Sequence, residues 1–219
     1  MGRAVCLLSG GLDSTVLVYL LVAEGHEVHA LSFDYGQRHR KELEFARRTA
    51  TRIGVRHSVL DLSCVGKLLK GSALTDDVAV PEGHHEAPEM AATVVPNRNA
   101  VLLAVGFGVA AAEGADLVAL AAHAGDRAIY PDCRKEFLEA FEATEALALG
   151  QSIRLYAPFL GLDKAGIIGQ GVRLGVPFED TWTCYQGEDA PCGRCGACTE
   201  RLEAFALAGV QETTRSAVE

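Results

Sequence analysis

Short apolar runs and amphipathic stretches alternate along the chain from its first residues. Residues 4–8 read as a buried strand, and the apolar stretch 14–21 opens a helix that ends near Gly25. Residues 28–33 make a second strand, followed by a helix from about 38 to 53 that stops at Gly54, and residues 58–62 a third strand. Residues 63–95 lose the periodicity and are rich in Gly, Pro, Asp and His. A stretch this long inside a compact domain is either functional or partly disordered. Periodicity resumes with an apolar helix over 99–113, a strand over 116–122 that is apolar on both faces, a helix over 132–149, a strand over 153–156 and a helix over 163–174 capped by Gly175. This alternation predicts an α/β fold: a doubly wound, mainly parallel sheet with helices on both faces and right-handed crossovers. Ligands of such sheets bind outside the carboxyl ends of the strands. Ser9, Asp34 and His123 fall at three such ends, so their loops are expected to converge on one crevice.

The first of these loops carries the strongest chemistry: Leu8-Ser9-Gly10-Gly11-Leu12-Asp13-Ser14-Thr15. Two glycines at a strand-to-helix turn let the backbone pass close to a ligand. The helix behind them offers unpaired N–H groups and the positive end of its dipole to an anion, and Ser9, Ser14 and Thr15 add hydroxyl donors. A Walker A loop needs Gly-Lys followed by Ser or Thr, and Leu12 stands there instead. The pattern resembles the pyrophosphatase-type loop, SGGxDS, of enzymes that split ATP to AMP and pyrophosphate and adenylate a substrate oxygen. The plainer alternative is an ordinary βα turn with Asp13 as the helix N-cap.

The chain of 219 residues suits one large domain, or one domain with an appendage. The first apolar run is broken at once by Ser9-Gly10-Gly11, and the later apolar segment, 100–112, is too short to span a bilayer. A cytoplasmic protein without membrane contacts is expected. A net charge of −9 argues against a nucleic-acid partner, because neutralising phosphates requires clustered Lys and Arg. Basic clusters such as Arg38-His39-Arg40-Lys41 are interleaved with Glu42 and Glu44 and read as a solvated helix face.

Seven cysteines in a cytosolic protein point to metal or redox chemistry rather than disulfides. Cys6, Cys64 and Cys133 are scattered, whereas Cys192, Cys195 and Cys198 form a C-x-x-C-x-x-C run with Cys184 a short loop upstream. Four thiolates make a closed tetrahedral zinc site, which is structural because no ligand position stays open. Softness alone would also permit an iron–sulfur cluster or leave free thiols. Zinc, one per chain, is favoured because the knuckle caps a chain end beside a helix predicted over 199–207. His84 and His85 read as decoration of the long loop, with metal binding as the alternative.

Several segments together resemble the 7-cyano-7-deazaguanine synthase family of queuosine biosynthesis: Ser9-Gly-Gly-Leu-Asp-Ser14, Phe33-Asp-Tyr-Gly-Gln-Arg-His39, Val95-Pro-Asn-Arg-Asn99, Tyr130-Pro-Asp-Cys-Arg134, Thr183-Cys-Tyr185 and Pro191-Cys-Gly-Arg-Cys-Gly-Ala-Cys198. The first is shared with other adenylating enzymes of the PP-loop class. The others are far more specific. The resemblance implies a PP-loop (adenine nucleotide alpha hydrolase-like) domain over 1–176 and a small zinc-binding lobe with its helix over 177–219. It implies a C–N ligase that turns 7-carboxy-7-deazaguanine, ammonia and ATP into the nitrile through an amide, and it leaves a homodimer open as the assembly.

On this reading Leu8 to Thr15 hold the phosphates that leave as pyrophosphate, with Ser9, Asp13, Ser14 and Lys164 as catalytic candidates. Asp13 orients Mg2+ or, alternatively, caps the helix. Lys164 contacts the phosphates or is a solvated residue at a helix start. Arg98, Tyr130, Asp132 and Arg134 are candidates for the deazaguanine acid, with Tyr35, Gln37 and Arg38 offered by the neighbouring loop. Asn99 reads as a helix N-cap, and Pro131-Asp132 would equally make a helix start. The alternative function is a PP-loop tRNA-thiolating enzyme, which would need catalytic cysteines near the ATP site and a basic surface for tRNA. A third is a zinc-stapled module that holds AMP without turnover.

Overall fold

The computed structural model describes residues 2–85, 87–186 and 189–214. Five parallel strands, β1 (Arg3–Leu7), β2 (Glu27–Asp34), β3 (Arg56–Asp61), β4 (Leu117–Ala119) and β5 (Arg154–Tyr156), form one sheet in the order β3-β2-β1-β4-β5. The chain winds outward from β1 through β2 to β3, then returns to the other side of β1 with β4. The order therefore reverses between β1 and β4, and a crevice opens at the carboxyl ends of those two strands.

Alternation along β1 divides the core. Ala4 and Cys6, with Leu8 beyond the strand, face one side, where they meet Leu12, Val16 and Leu17 of α1 (Leu12–Ala23) and Ala46 and Ala50 of α2 (Glu42–Ile53). Val5 and Leu7 face the other side, toward Leu103 and Phe107 of α4 (Arg98–Glu113) and Leu138 of α5 (Lys135–Leu149). A single turn, α3 (Ser63–Gly66), lies between α2 and α4. On the first face α6 (Lys164–Leu174) brings Ile167 and Ile168, and α7 (Gly196–Ala208) adds Ala204 and Phe205, whose ring meets Phe178 edge-on at 5.2 Å. Among the described residues no helix is long and apolar enough to cross a membrane.

The strands fall close to where the sequence pattern puts them, except that β4 spans only Leu117–Ala119 of the expected 116–122 and β3 begins at Arg56 rather than at 58, and three helix starts differ. α2 begins at Glu42 rather than near 38, because residues 38–41 are spent in turns: Glu42 N donates to His39 O and Leu43 N to Arg40 O. α5 begins at Lys135, after a 3-10 turn at Pro131–Cys133. α7 begins at Gly196, inside the cysteine run, so Cys198 lies in its first turn. The 63–95 stretch is packed: Ser72, Ala73 and Leu74 are buried, Ala73 N donates to Ala92 O at 2.7 Å, and a 3-10 turn closes it at Pro88–Thr93.

Candidate active site

The β1–α1 loop is a tight, self-bonded turn. Ser9 N donates to Ser14 Oγ at 3.2 Å, the two hydroxyls are 3.0 Å apart, and Gly11 N donates to Ser9 Oγ at 3.2 Å. Gly10 has φ +88°, and a Cβ there would come within 2.1 Å of Glu42 O and 2.7 Å of Ala46 N. Only glycine permits both the left-handed backbone and the approach of α2. Gly10 O accepts from Trp182 N at 2.9 Å, which ties the loop to the segment before the cysteines. The N-cap of α1 is Gly11, without a side-chain cap, so Asp13 is not the cap that sequence allowed as an alternative.

A cavity of about 260 Å3 opens beside this loop, as the strand order requires. Leu8, Ser9, Gly11, Leu12, Asp13 and Ser14 line it, whereas Gly10 and Thr15 do not; Thr15 is buried beneath the turn. Asp34 does not join. Its carboxylate holds its own loop, accepting from Gly36 N at 3.1 Å and pairing with Arg40.

Charged groups crowd around Asp13. Lys164 Nζ lies 3.5 Å from its Oδ2 and is hydrogen-bonded to Glu200 of α7. Lys164 is buried rather than solvated. Burial alone would depress its pKa, but the Asp13 and Glu200 carboxylates outweigh it and hold the ammonium above the ordinary lysine range. His123 caps the turn after β4: its Nδ1 accepts from Gly125 N at 3.1 Å, so the ring proton sits on Nε2. That N–H faces Asp126 Oδ1 at 3.5 Å, Asp13 Oδ2 at 3.9 Å and Glu200 Oε1 at 3.9 Å. Burial raises the pKa of Asp126, and His123 and Lys164 offset it only in part. Asp13 Oδ1 is buried without a hydrogen-bond partner among the described residues. Asp13, Asp126 and Glu200 thus surround the Lys164 ammonium and the His123 ring beside the loop.

The other end of the cavity is aromatic. Arg98, at the start of α4, lies over the Tyr35 ring at 6.0 Å, and its Nε donates to Asn99 Oδ1 at 3.3 Å. Tyr130 and Tyr185 line the same wall, and Tyr130 OH is 2.7 Å from Thr93 Oγ1. Burial pushes the Tyr35 and Tyr185 phenols upward, so both stay neutral beside the guanidinium. No carboxylate among the described residues lies within 4.0 Å of Arg98.

Asp132 and Arg134 stay outside the cavity lining. Asp132 Oδ2 accepts from Asn99 N at 3.0 Å, capping the free N–H groups of α4, while Arg134 Nε donates to Arg127 O at 3.1 Å. Asn99 is not an N-cap: Asn97, at φ 57°, holds that position, and the Asn99 amide donates to Cys133 Sγ at 3.2 Å. Gln37 and Arg38 also turn away, bonding Phe33 O and Val78 O. The sequence reading gave no role to Glu200 or Asp126. Glu200 sits in the charged run Thr199-Glu-Arg-Leu-Glu, which imitates a solvated face; the one signal was that a buried lysine needs an acid.

Cys184, Cys192, Cys195 and Cys198 are all buried, with their sulfurs within 4.8 Å of one another. Backbone N–H groups already aim at them: Cys192 N and Gln186 N donate to Cys184 Sγ at 3.3 and 3.4 Å, and Cys195 N to Cys192 Sγ at 3.3 Å. Such donors stabilise thiolates, which are the metal-binding form. The set fits a closed tetrahedral metal site. The long loop docks on this knuckle, with Gly83 N donating to Arg194 O at 3.1 Å and Glu82 pairing with Cys195 in an antiparallel bridge.

The family model of queuosine biosynthesis protein QueC matches residues 3–209. The chain is 55% identical over 214 residues to the 7-cyano-7-deazaguanine synthase of Ruegeria pomeroyi, covering 97% of this chain and 93% of that protein. It is 53% identical to the enzyme of that name from Rhizobium rhizogenes, covering 97% and 91%. Among solved structures, NMN synthetase from Francisella tularensis is similar at a TM-score of 0.55 and 17% identity, covering 97% of this chain and 79% of that one. A 4-thiouridine synthetase in complex with RNA and ATP is similar at 0.54 and 18%, covering 92% and 50%. At such identities these two share the fold.

Proposed function

Because the chain belongs to the family of queuosine biosynthesis protein QueC, we propose that it converts 7-carboxy-7-deazaguanine, ammonia and two ATP into 7-cyano-7-deazaguanine, two AMP and two pyrophosphate. The observation that carries this reading is the pairing of the phosphate-type loop with a half-buried guanidinium that has no carboxylate within 4.0 Å among the described residues. Drawing a cation out of water without a counter-ion is costly. Arg98, set among the Tyr35, Tyr130 and Tyr185 rings, is built to receive an anion from outside, and a planar carboxylate matches its fork. Tyr35, Tyr130 and Tyr185 supply flat surfaces for a flat heterocycle.

A carboxylate resists attack because its leaving group would be oxide. Transfer of AMP from ATP to the carboxylate oxygen breaks the α–β phosphate bond and releases pyrophosphate. Ammonia then displaces AMP and loses a proton, giving the amide. The amide oxygen needs the same activation; its adenylation releases a second pyrophosphate, and loss of AMP with the remaining nitrogen protons leaves the nitrile. Ser9, Ser14 and the N–H groups at the start of α1 hold the phosphates. Lys164 stabilises the charge that develops on departing pyrophosphate. Its ammonium is paired with Asp13 and Glu200, so phosphate oxygens compete with these carboxylates for it.

Asp13, with an oxygen that has no hydrogen-bond partner among the described residues, fits a residue that would hold the Mg2+ of the nucleotide, and such an ion would neutralise phosphate charge. The cysteine knuckle would hold one structural zinc. The thiolation alternative lacks an activated thiol in the cavity wall among the described residues: Cys133 lines it, but burial pushes its pKa up. The test is turnover with ATP, Mg2+, ammonium and the 7-carboxylic acid, followed by phosphorus NMR and mass spectrometry. AMP, pyrophosphate and the nitrile are expected. ADP, or an amide that accumulates and is never consumed, would refute the reading.

A further inference from the structure

At the rim of the cavity, the long loop and α7 bring together a second group of metal-binding side chains. His84 and His85 are consecutive on the loop, while Glu200 and Glu203 are three apart and share a face of α7. His84 Nε2 lies 3.6 Å from Glu203 Oε2, and His85 Nε2 lies 3.6 Å from Glu200 Oε1. The two imidazoles are stacked, with centroids 4.5 Å apart and 30° between planes. One donor atom from each of His84, His85 and Glu203 falls within 4.8 Å of the others.

Two ion pairs would account for the His–Glu contacts, but both rings would then be charged and two imidazolium faces would stack on each other. A cation at the edge of the stacked rings removes that conflict, since each imidazole offers an in-plane lone pair and the carboxylate supplies charge. We propose that His84, His85 and Glu203 form a second transition-metal site, separate from the cysteine knuckle, that ties the long loop to α7. Two imidazoles and one carboxylate suit Zn2+, Co2+ or Ni2+; Mg2+ prefers oxygen ligands alone. Three protein ligands leave a position open to water. The loop so tied carries His85 and Met90, both of which line the cavity, and Met90 Sδ already lies where a Cβ on Gly196 would sit, at 2.6 Å. Glu200 remains outside the ligand set, because its second oxygen holds Lys164. The site stands on these residues alone and holds whichever substrate the cavity takes.

The test is Co2+ titrated into the full chain as purified, with its cysteine-held metal left in place. One saturable equivalent is expected, with weak d–d bands and no thiolate-to-cobalt charge transfer. His84→Ala and His85→Ala should each weaken binding about tenfold or more, and Glu203→Gln should weaken it as well. His84 and Glu203 are half-exposed, so these variants should melt like the parent. Hydrogen exchange in residues 77–95 should slow on cobalt addition in the parent and not in the variants. Thiolate charge transfer, absence of a saturable equivalent, or binding and exchange unchanged in the His84→Ala, His85→Ala protein would each overturn the site.

Discussion

Replacing Arg98 by methionine separates the two halves of the proposed reaction. The acid enters as an anion, whereas the amide intermediate is neutral, and Arg98 has no carboxylate within 4.0 Å among the described residues to occupy it beforehand. Removing one partner of a buried, hydrogen-bonded charge pair costs about 2–5 kcal/mol. At 1.36 kcal/mol per factor of ten, kcat/KM for the acid should fall about 30-fold to a few thousand-fold. The amide loses at most a neutral hydrogen bond, about 0.5–1.5 kcal/mol, so its kcat/KM should fall only about 2- to 13-fold. Stability should hardly move, because the substitution deletes a half-buried cation without stranding a carboxylate among the described residues. A shift within about 4 °C of Tm corresponds to roughly 1 kcal/mol for a chain of this size. The assay feeds the acid and the amide separately with ATP and ammonium and follows pyrophosphate release. Equal losses for the two substrates would refute the assignment, because a residue that merely shapes the cavity would not distinguish an anion from its amide.

Lys164→Met should lower kcat by about a hundred- to a thousand-fold, as for loss of a transition-state donor, with a circular dichroism spectrum like the parent's; a loss under tenfold would count against its role. Cys192→Ser should bring metal content, read by elemental analysis, well below one per chain and lower Tm, since metal-binding energy in such a lobe is folding energy. Stoichiometric iron in the parent would refute zinc. Glu212 tests a pH dependence: burial pushes its carboxyl upward, but the Arg201 guanidinium and Thr214 outweigh it and its pKa is lowered. A depressed acid contributes stability that is present above its unfolded value near 4.5 and lost as pH falls through the folded value. Glu212→Gln should therefore cost about 1–3 kcal/mol at neutral pH, and the gap from the parent should close below the unfolded value; a gap that does not change with pH would contradict the pairing.

The sheet and its helices were legible because strands buried on both faces and helices closed by glycine leave strong local signals; β1, α1 and the Gly175 stop fall where apolar runs and glycines put them. The phosphate loop and the cysteine cluster were legible for a related reason: their chemistry is carried by residues close in sequence. What failed depended on distance along the chain. Asp132 and Asn99 looked like neighbours of a substrate and of a helix end, yet Asp132 caps α4 from 33 positions away and Asn99 turns inward to Cys133. Glu200 was invisible because the run around it reads as a solvated helix, and its partner Lys164 is 36 residues upstream. No periodicity reports a pairing of that kind. It follows only from the packing of α7 against α6 on the same face of the sheet.

That packing also explains why a cysteine knuckle belongs beside this cavity. Cys198 and Glu200 are two residues apart in the first turns of α7, so whatever fixes the four sulfurs fixes the carboxylate that holds Lys164. The segment leading into the knuckle reaches the other side of the phosphate loop, where Trp182 N bonds Gly10 O and Trp182 packs on Phe45 with ring centroids 5.5 Å apart. Glu82 and Gly83 bring the long loop down on the same knuckle. Three parts of the cavity wall are thus referred to one small cluster. Such a cluster cannot hold its shape by apolar burial alone when its centre is four thiols, since a thiol is a weak hydrogen-bond donor and crowded thiolates repel. A tetrahedral cation turns the repulsion into bonding and makes the cluster rigid. The knuckle's role is then positional as well as stabilising: a protein stripped of that metal should keep its sheet, whose core lies on β1, α1 and α4, and lose the placement of Lys164 and of the long loop. Far-UV circular dichroism retained together with abolished pyrophosphate release is the expected outcome of chelation, and loss of the whole fold on chelation would show that the knuckle holds up the sheet as well.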